Sequence, residues 1–117
     1  MDNFPQRGEI WLVSLDPAVG SEIKKTRPAF VISNNINNRY ANHVTLLPVT
    51  DKGEKIYPFE VYLPPSQDSA IKKPSKIKCQ QIRTVDKSRL LKRLGMSEIN
   101  LIPEVERALK NHLGFIN

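Results

Sequence analysis

The sequence predicts a mainly β domain with a C-terminal α-helix, folded as a small, partly closed barrel. Three observations point there. Short apolar runs are separated by turns rich in proline and glycine, helical periodicity is confined to the C-terminal end, and 117 residues suit one hydrophobic core. The chain therefore reads as one domain over residues 1–117, without repeats or low-complexity segments.

Residues 9–15 (E-I-W-L-V-S-L) are apolar on both alternating faces and close at Asp16-Pro17, the pattern of a buried strand entering a loop. That loop runs through Gly20 to Thr26. Residues 28–33 form a second strand, with Pro28 at its first position, where no ladder donor is needed. The asparagine-rich stretch Asn34 to Asn42 reads as a turn or exposed excursion. Residues 44–49 and 58–63 are the next strands, separated by the turn-like Asp51-Lys52-Gly53. Alternation sets Phe59, Val61 and Leu63 on one face of the latter, and Glu60 and Tyr62 on the other. A loop from Pro64 to Pro74 leads to a fifth strand at 76–82, with Ile77, Cys79 and Gln81 on one side and Lys78, Gln80 and Ile82 on the other. Leu90, Leu91 and Leu94 before Gly95 fit either a short helix or a strand. Val105, Ala108, Leu109 and Leu113 recur at helical spacing, Pro103 suits the first turn, and Gly114 suits the stop.

Eighteen Lys and Arg against twelve Asp and Glu give a formal charge of +6 and a pI near 9.6. Such a balance favours polyanionic partners, nucleic acid or an acidic peptide. The lone Cys79 excludes an intramolecular disulfide, and with His43 and His112 it makes no metal-ligand spacing. Met1 to Pro5 carries neither a basic nor an apolar leader segment, and no apolar run approaches the roughly 18 residues of a membrane span. A cytoplasmic protein without membrane association is expected.

No GxSxG elbow, phosphate-binding glycine loop or zinc motif is present. His43 reads as a solvated or capping imidazole and His112 as a surface residue near a helix C-terminus. RNA phosphodiester cleavage needs none of these, because the 2′-hydroxyl is a built-in nucleophile; the protein must align it, stabilise phosphoryl charge and assist proton movement. Arg27 has the planar fork for phosphate oxygens, and Thr50 carries a hydroxyl at the end of another strand. On the residues alone, however, Arg27 also reads as a surface ion-pair former, for instance with Glu22, and Thr50 as a turn cap. Lys72, Lys73, Lys76 and Lys78 form a cationic run that suits an RNA strand or a solvated sheet edge. Trp11 reads as core, and Tyr57, Phe59 and Tyr62 as candidates for base stacking.

Taken in order, R-G-E-I-W-L-V-S-L-D-P at 7–17, G-S-E at 20–22, T-R-P at 26–28, P-V-T at 48–50, Y-P-F-E-V at 57–61 and C-Q-Q-I-R-T-V-D at 79–86 resemble the MazF/PemK family of toxin endoribonucleases. The resemblance spans nearly the whole chain. It implies an SH3-like barrel, a homodimer, and cleavage of single-stranded RNA at a specific sequence without metal or other cofactor. The implied products carry 2′,3′-cyclic phosphate and 5′-hydroxyl ends, and the implied consequence is arrest of translation and growth until an antitoxin with an acidic C-terminal tail covers the basic groove. The family's catalytic pair falls on Arg27 and Thr50, with Glu22 in support, and Asn34 and Gln81 match substrate-contacting positions. Arg27 would be held by Pro28 and the following strand while the loop from Gly20 to Thr26 admits RNA. Kid-type members carry arginine and aspartate around the cysteine, where this chain has Lys78 and Gln80. A glutamine does not carry a proton as a carboxylate does, so these two positions are expected to contact substrate. The alternatives are a non-cleaving toxin of the same fold that poisons DNA gyrase, and a generic basic RNA-binding barrel.

Overall fold

The structure is a computed structural model that describes residues 3–17, 19–22, 25–98 and 100–115. Its strands are β1 (Glu9–Ser14), β2 (Thr26–Val31), β3 (His43–Asp51), β4 (Glu60–Leu63), β5 (Ser75–Lys78), β6 (Arg83–Asp86) and β7 (Leu90–Met96); its helices are α1 (Asn35–Tyr40) and α2 (Leu101–Leu113). The sheet runs β4-β5-β3-β2-β1-β7, with β6 also paired to β3, and every pairing is antiparallel. It curls without closing, as the partly closed barrel requires. No helix among the described residues is long and apolar enough to cross a membrane.

Alternation along the strands sorts side chains onto two cores. Ile10, Phe30, Leu47, Val49, Val61, Leu63 and Ile77 join Leu101, Val105 and Ala108 of α2 in the larger one. Val13, Ala29, Val44, Leu46 and Val85 point the opposite way and form the smaller one, against which Trp11 and Leu90 pack. The apolar positions of α2 lie at i, i+4 and i+7, so one stripe is buried. The helix stops at Gly114, whose φ of 75° is left-handed and whose N–H returns to the Lys110 carbonyl.

Four expectations are refined. The second strand begins at Thr26, so Pro28 is its third residue; its missing N–H is tolerated because the ladder to β3 starts only at Ala29. The stretch from Asn34 is not a turn but carries α1. Asn34 caps it, its Oδ1 accepting from the Asn37 N–H at 2.8 Å, and the buried Asn38 ties it to the Ser33 carbonyl at 2.9 Å. The strand expected at 76–82 ends at Lys78, turns through a short 3-10 helix at Cys79–Gln81 and resumes as β6. The leucines at 90–94 lie on a strand, β7.

The break at 79–81 follows from register. On one edge of β3, Val49 pairs with Ile77 and Leu46 with Arg83. Between those pairs β3 advances three residues (49 − 46) while the facing chain advances six (83 − 77). The excess of three residues is looped out beside Leu47-Pro48, where proline has no N–H to offer a partner strand.

Gly95 in β7 abuts the backbone of Asp68, whose carbonyl also accepts from the Met96 N–H at 2.9 Å. A Cβ at residue 95 would lie 1.8 Å from that carbonyl oxygen. Gly95→Ala should therefore lower unfolding free energy by about 3 kcal/mol, read as a fall in urea midpoint at unchanged slope.

Candidate active site

The smaller core ends before its face of the sheet does, and polar side chains occupy the remainder. Arg27 is two residues from Ala29, and Thr50 is four from Leu46, so alternation turns both toward this face. The β2–β3 ladder pairs Val31 with Leu46, Phe30 with Leu47 and Ala29 with Pro48. Each pair sums to 77, and 27 + 50 gives the same sum, so continuing the register sets Arg27 opposite Thr50. On the far side of β3, Thr50 pairs with Lys76, and Lys76 with Tyr62. Thr50, Lys76 and Tyr62 thus form one row across three strands, and the extended β2 register points Arg27 toward its end. Arg27 and Thr50 are half-buried, fixed by the sheet yet open to solvent.

A neighbouring row pairs Lys78 with Glu60. Glu60 is buried, and its carboxylate accepts from the Tyr57 N–H at 3.0 Å, from Gln80 Nε2 at 2.7 Å and from Lys76 Nζ at 3.0 Å, with Lys78 Nζ at 4.0 Å. Burial alone pushes this carboxyl up. The Tyr57 amide, the Gln80 amide and the Lys76 ammonium outweigh it, and the pKa lies below the ordinary carboxylate value. Because a carboxylate only accepts, the Gln80 NH₂ must face it. Among the described residues, the buried Gln80 Oε1 has no hydrogen-bond partner.

The looped-out turn places Gln80 and Gln81 beside Glu22, and these three, with Ile82 and Arg83, line a cleft of about 180 Å³. Three residues singled out from sequence therefore meet although the chain separates Glu22 from the glutamines. The loop between β1 and β2 is anchored at its root. Arg83 Nη1 donates to the Leu15 carbonyl at 3.2 Å, Arg89 Nη1 to the carbonyls of Ser14, at 3.2 Å, and Asp16, and the Lys25 N–H to Asp16 Oδ1 at 2.8 Å. Within the loop, Glu22 Oε1 accepts from the Val19 N–H at 2.6 Å; residues 23 and 24 lie outside the described residues. Asn34 stands apart from the cleft lining, its side-chain oxygen engaged as the α1 cap.

Sequence reading did not single out Glu60, Arg83 or Arg89. Glu60 had a legible signal, a carboxylate on the polar face of an alternating strand with a lysine run available to pair with it. The two arginines bond backbone carbonyls 68 and 73–75 residues away, and no local pattern announces that. Among the described residues no group of three or more His, Cys, Asp and Glu side chains stands together as metal ligands would.

Two outcomes follow from the buried carboxylate. With its folded pKa depressed, Glu60 contributes stability that is full above the ordinary carboxylate pKa and is lost as pH falls through the folded value. Glu60→Gln should lose about 2 kcal/mol at neutral pH and show a shallower fall of urea midpoint on acidification than the wild type. Cys79 is fully buried, and burial, followed by the Glu60 charge, pushes its thiol up to about 12. Iodoacetamide at mildly alkaline pH should leave it unmodified in the native protein and label it after unfolding in urea.

Comparison with known proteins adds four findings. The family described as PemK-like, MazF-like toxin of type II toxin-antitoxin system matches residues 6–113. The Mycobacterium tuberculosis protein named Endoribonuclease MazF9 is 39% identical over 113 residues, covering 92% of this chain and 95% of its own. Endoribonuclease MazF of Staphylococcus epidermidis is 34% identical, covering 96% and 93%. Among solved structures, MazF from Deinococcus radiodurans superposes with a TM-score of 0.83 at 28% identity, covering 97% of this chain and 100% of that one.

Proposed function

The chain belongs to the PemK-like, MazF-like toxin family, and from that premise we propose that it is an endoribonuclease toxin cutting single-stranded RNA at a specific short sequence, without a metal. The observation that carries this reading is the β2–β3 register, which, extended past Ala29–Pro48, sets Arg27 across from Thr50. In the proposed reaction the 2′-oxygen attacks the adjacent phosphorus and the P–O5′ bond breaks. One proton leaves O2′ and one reaches O5′, giving a 2′,3′-cyclic phosphate and a 5′-hydroxyl. The guanidinium of Arg27 stabilises charge on the non-bridging oxygens and assists proton delivery to the leaving group. The Thr50 hydroxyl bonds the same phosphoryl group. Glu22 supports Arg27 or contacts RNA from the cleft, and Lys78, Gln80, Gln81 and Asn34 contact substrate.

Placing Gln80 against Glu60 bears on the substitution that separates this chain from Kid-type members. Residue 80 has no carboxylate, and the nearby one of Glu60 is engaged by the Tyr57 amide, Gln80 and Lys76. That arrangement speaks against proton transfer at residue 80. The protein would act in the cytoplasm as a homodimer, arresting translation and growth, and a cognate antitoxin would lay an acidic C-terminal tail over the cationic face. The +6 charge is complementary to such a tail.

Purified protein incubated with a long, structure-poor RNA in EDTA should cut at one recurrent short sequence and leave 5′-hydroxyl ends. Arg27→Ala and Thr50→Ala should each slow cleavage by about 100-fold or more. Ends carrying 3′-hydroxyl and 5′-phosphate would contradict the mechanism. RNA left intact by every protein would redirect the reading to the non-cleaving toxin that acts on DNA gyrase.

A further inference from the structure

The row that carries Thr50 continues past Lys76 to the β4 edge, where Tyr62 is 42% exposed. Neighbouring strands stand about 4.8 Å apart, so Tyr62 lies roughly 10 Å across the sheet from Thr50. Just before β4, Tyr57 is 44% exposed. Its ring lies parallel to that of Phe59, with centroids 5.8 Å apart and planes 7° from each other. Phe59 is half-buried and is met edgewise by His112 at 6.2 Å, so the Tyr57 ring is backed by a second ring that is itself supported.

Ammonium groups surround this ring. Lys55 Nζ stands 4.7 Å from the Tyr57 centroid and Lys76 Nζ 5.9 Å. Lys76 also donates to the Lys55 carbonyl at 3.0 Å and pairs with Glu60, which in turn holds Gln80 of the cleft. The aromatic patch and the candidate active site are thus joined through one network of contacts.

We propose that the β4 edge of this face is a nucleotide subsite, where Tyr57 and Tyr62 stack a base of the RNA strand flanking the cut and Lys55 holds its phosphate. Exposed aromatic faces ringed by cations are how single-stranded nucleic acid is held without base-edge readout. Lys55, whose ammonium stands over the Tyr57 ring, is itself exposed. A base can take its place on the ring while the charge swings to the phosphate. An acidic peptide fits less well. It would need only the ammonium groups, one of which Glu60 already offsets, and would leave the preformed ring stack unused.

This subsite rests on the RNA-cleaving reading and is tested separately from it. KM and kcat are measured on an RNA spanning the mapped cut, with a parallel set in which one abasic position is moved along the strand. For wild-type protein, one abasic position flanking the cut should raise KM about tenfold, the loss of one stacked base. Tyr57→Ala with Tyr62→Ala should raise KM by a similar factor, lower kcat far less, and abolish the sensitivity to that abasic position. Tyr57→Phe with Tyr62→Phe should restore both KM and sensitivity, since the ring rather than the hydroxyl is needed and the phenylalanine pair also controls for folding. Unchanged KM in the alanine variant would overturn the subsite while leaving the ribonuclease standing. Weakened binding of poly-glutamate with RNA affinity intact would overturn it in favour of an acidic peptide contact. Failure of the wild-type protein either to bind or to cut RNA would overturn both readings.

Discussion

Strand β3 pairs with β2 along one edge and with both β6 and β5 along the other, and its change of partner at Leu47-Pro48 governs the cleft. A proline there cannot donate to a ladder, and the facing chain, three residues too long for the gap, folds its excess into the turn at Cys79–Gln81. The turn carries Gln80 and Gln81 to the cleft beside Glu22. The same strand, three residues after Leu47, carries Thr50 past the limit of its pairing with β2. Both the hydroxyl of the candidate catalytic pair and the glutamines of the cleft are therefore positioned by one backbone constraint.

The charged half of the site depends on Glu60. An unpaired buried carboxylate would be strongly unfavourable, and its three donors make it tolerable. In accepting from Lys76 and Gln80, Glu60 also fixes two groups of the site: one ammonium is held near Tyr57, and one amide is turned so that its NH₂ faces inward. An unpaired buried oxygen such as Gln80 Oε1 costs about 1–3 kcal/mol in general, comparable to what a charge-assisted hydrogen bond on the other end of the same amide contributes. The arrangement of residue 80 is a compromise between these two terms.

Much of the fold was legible because its elements are periodic. The apolar run at 9–15, the alternation from Phe59 to Leu63 and the helical spacing from Val105 to Leu113 each follow from a local repeat. Where the reading went astray, side-chain hydrogen bonds or strand register prevailed over the local apolar pattern. The asparagines after Ser33 have little helical propensity, yet α1 forms because Asn34 caps it and Asn38 is buried against Ser33. Residues 76–82 alternate like one strand, and nothing within them records that the opposite edge of β3 is three residues shorter.

By itself the sequence determined the alternation that puts Glu60, Tyr62, Lys76 and Lys78 on a polar face, the basic charge that suits an anionic partner, and the ordered motifs that carry Arg27 and Thr50. Side-chain direction along a strand has a period of two residues and is settled locally. Only the tertiary structure decided the β2–β3 register that, extended, sets Arg27 across from Thr50, that Glu60 holds Lys76 and Gln80, and that Glu22 meets the turn at Gln80-Gln81. Those pairings depend on strand register and on how far each ladder extends, which are set by the packing of whole strands against two cores rather than by any run of neighbouring residues.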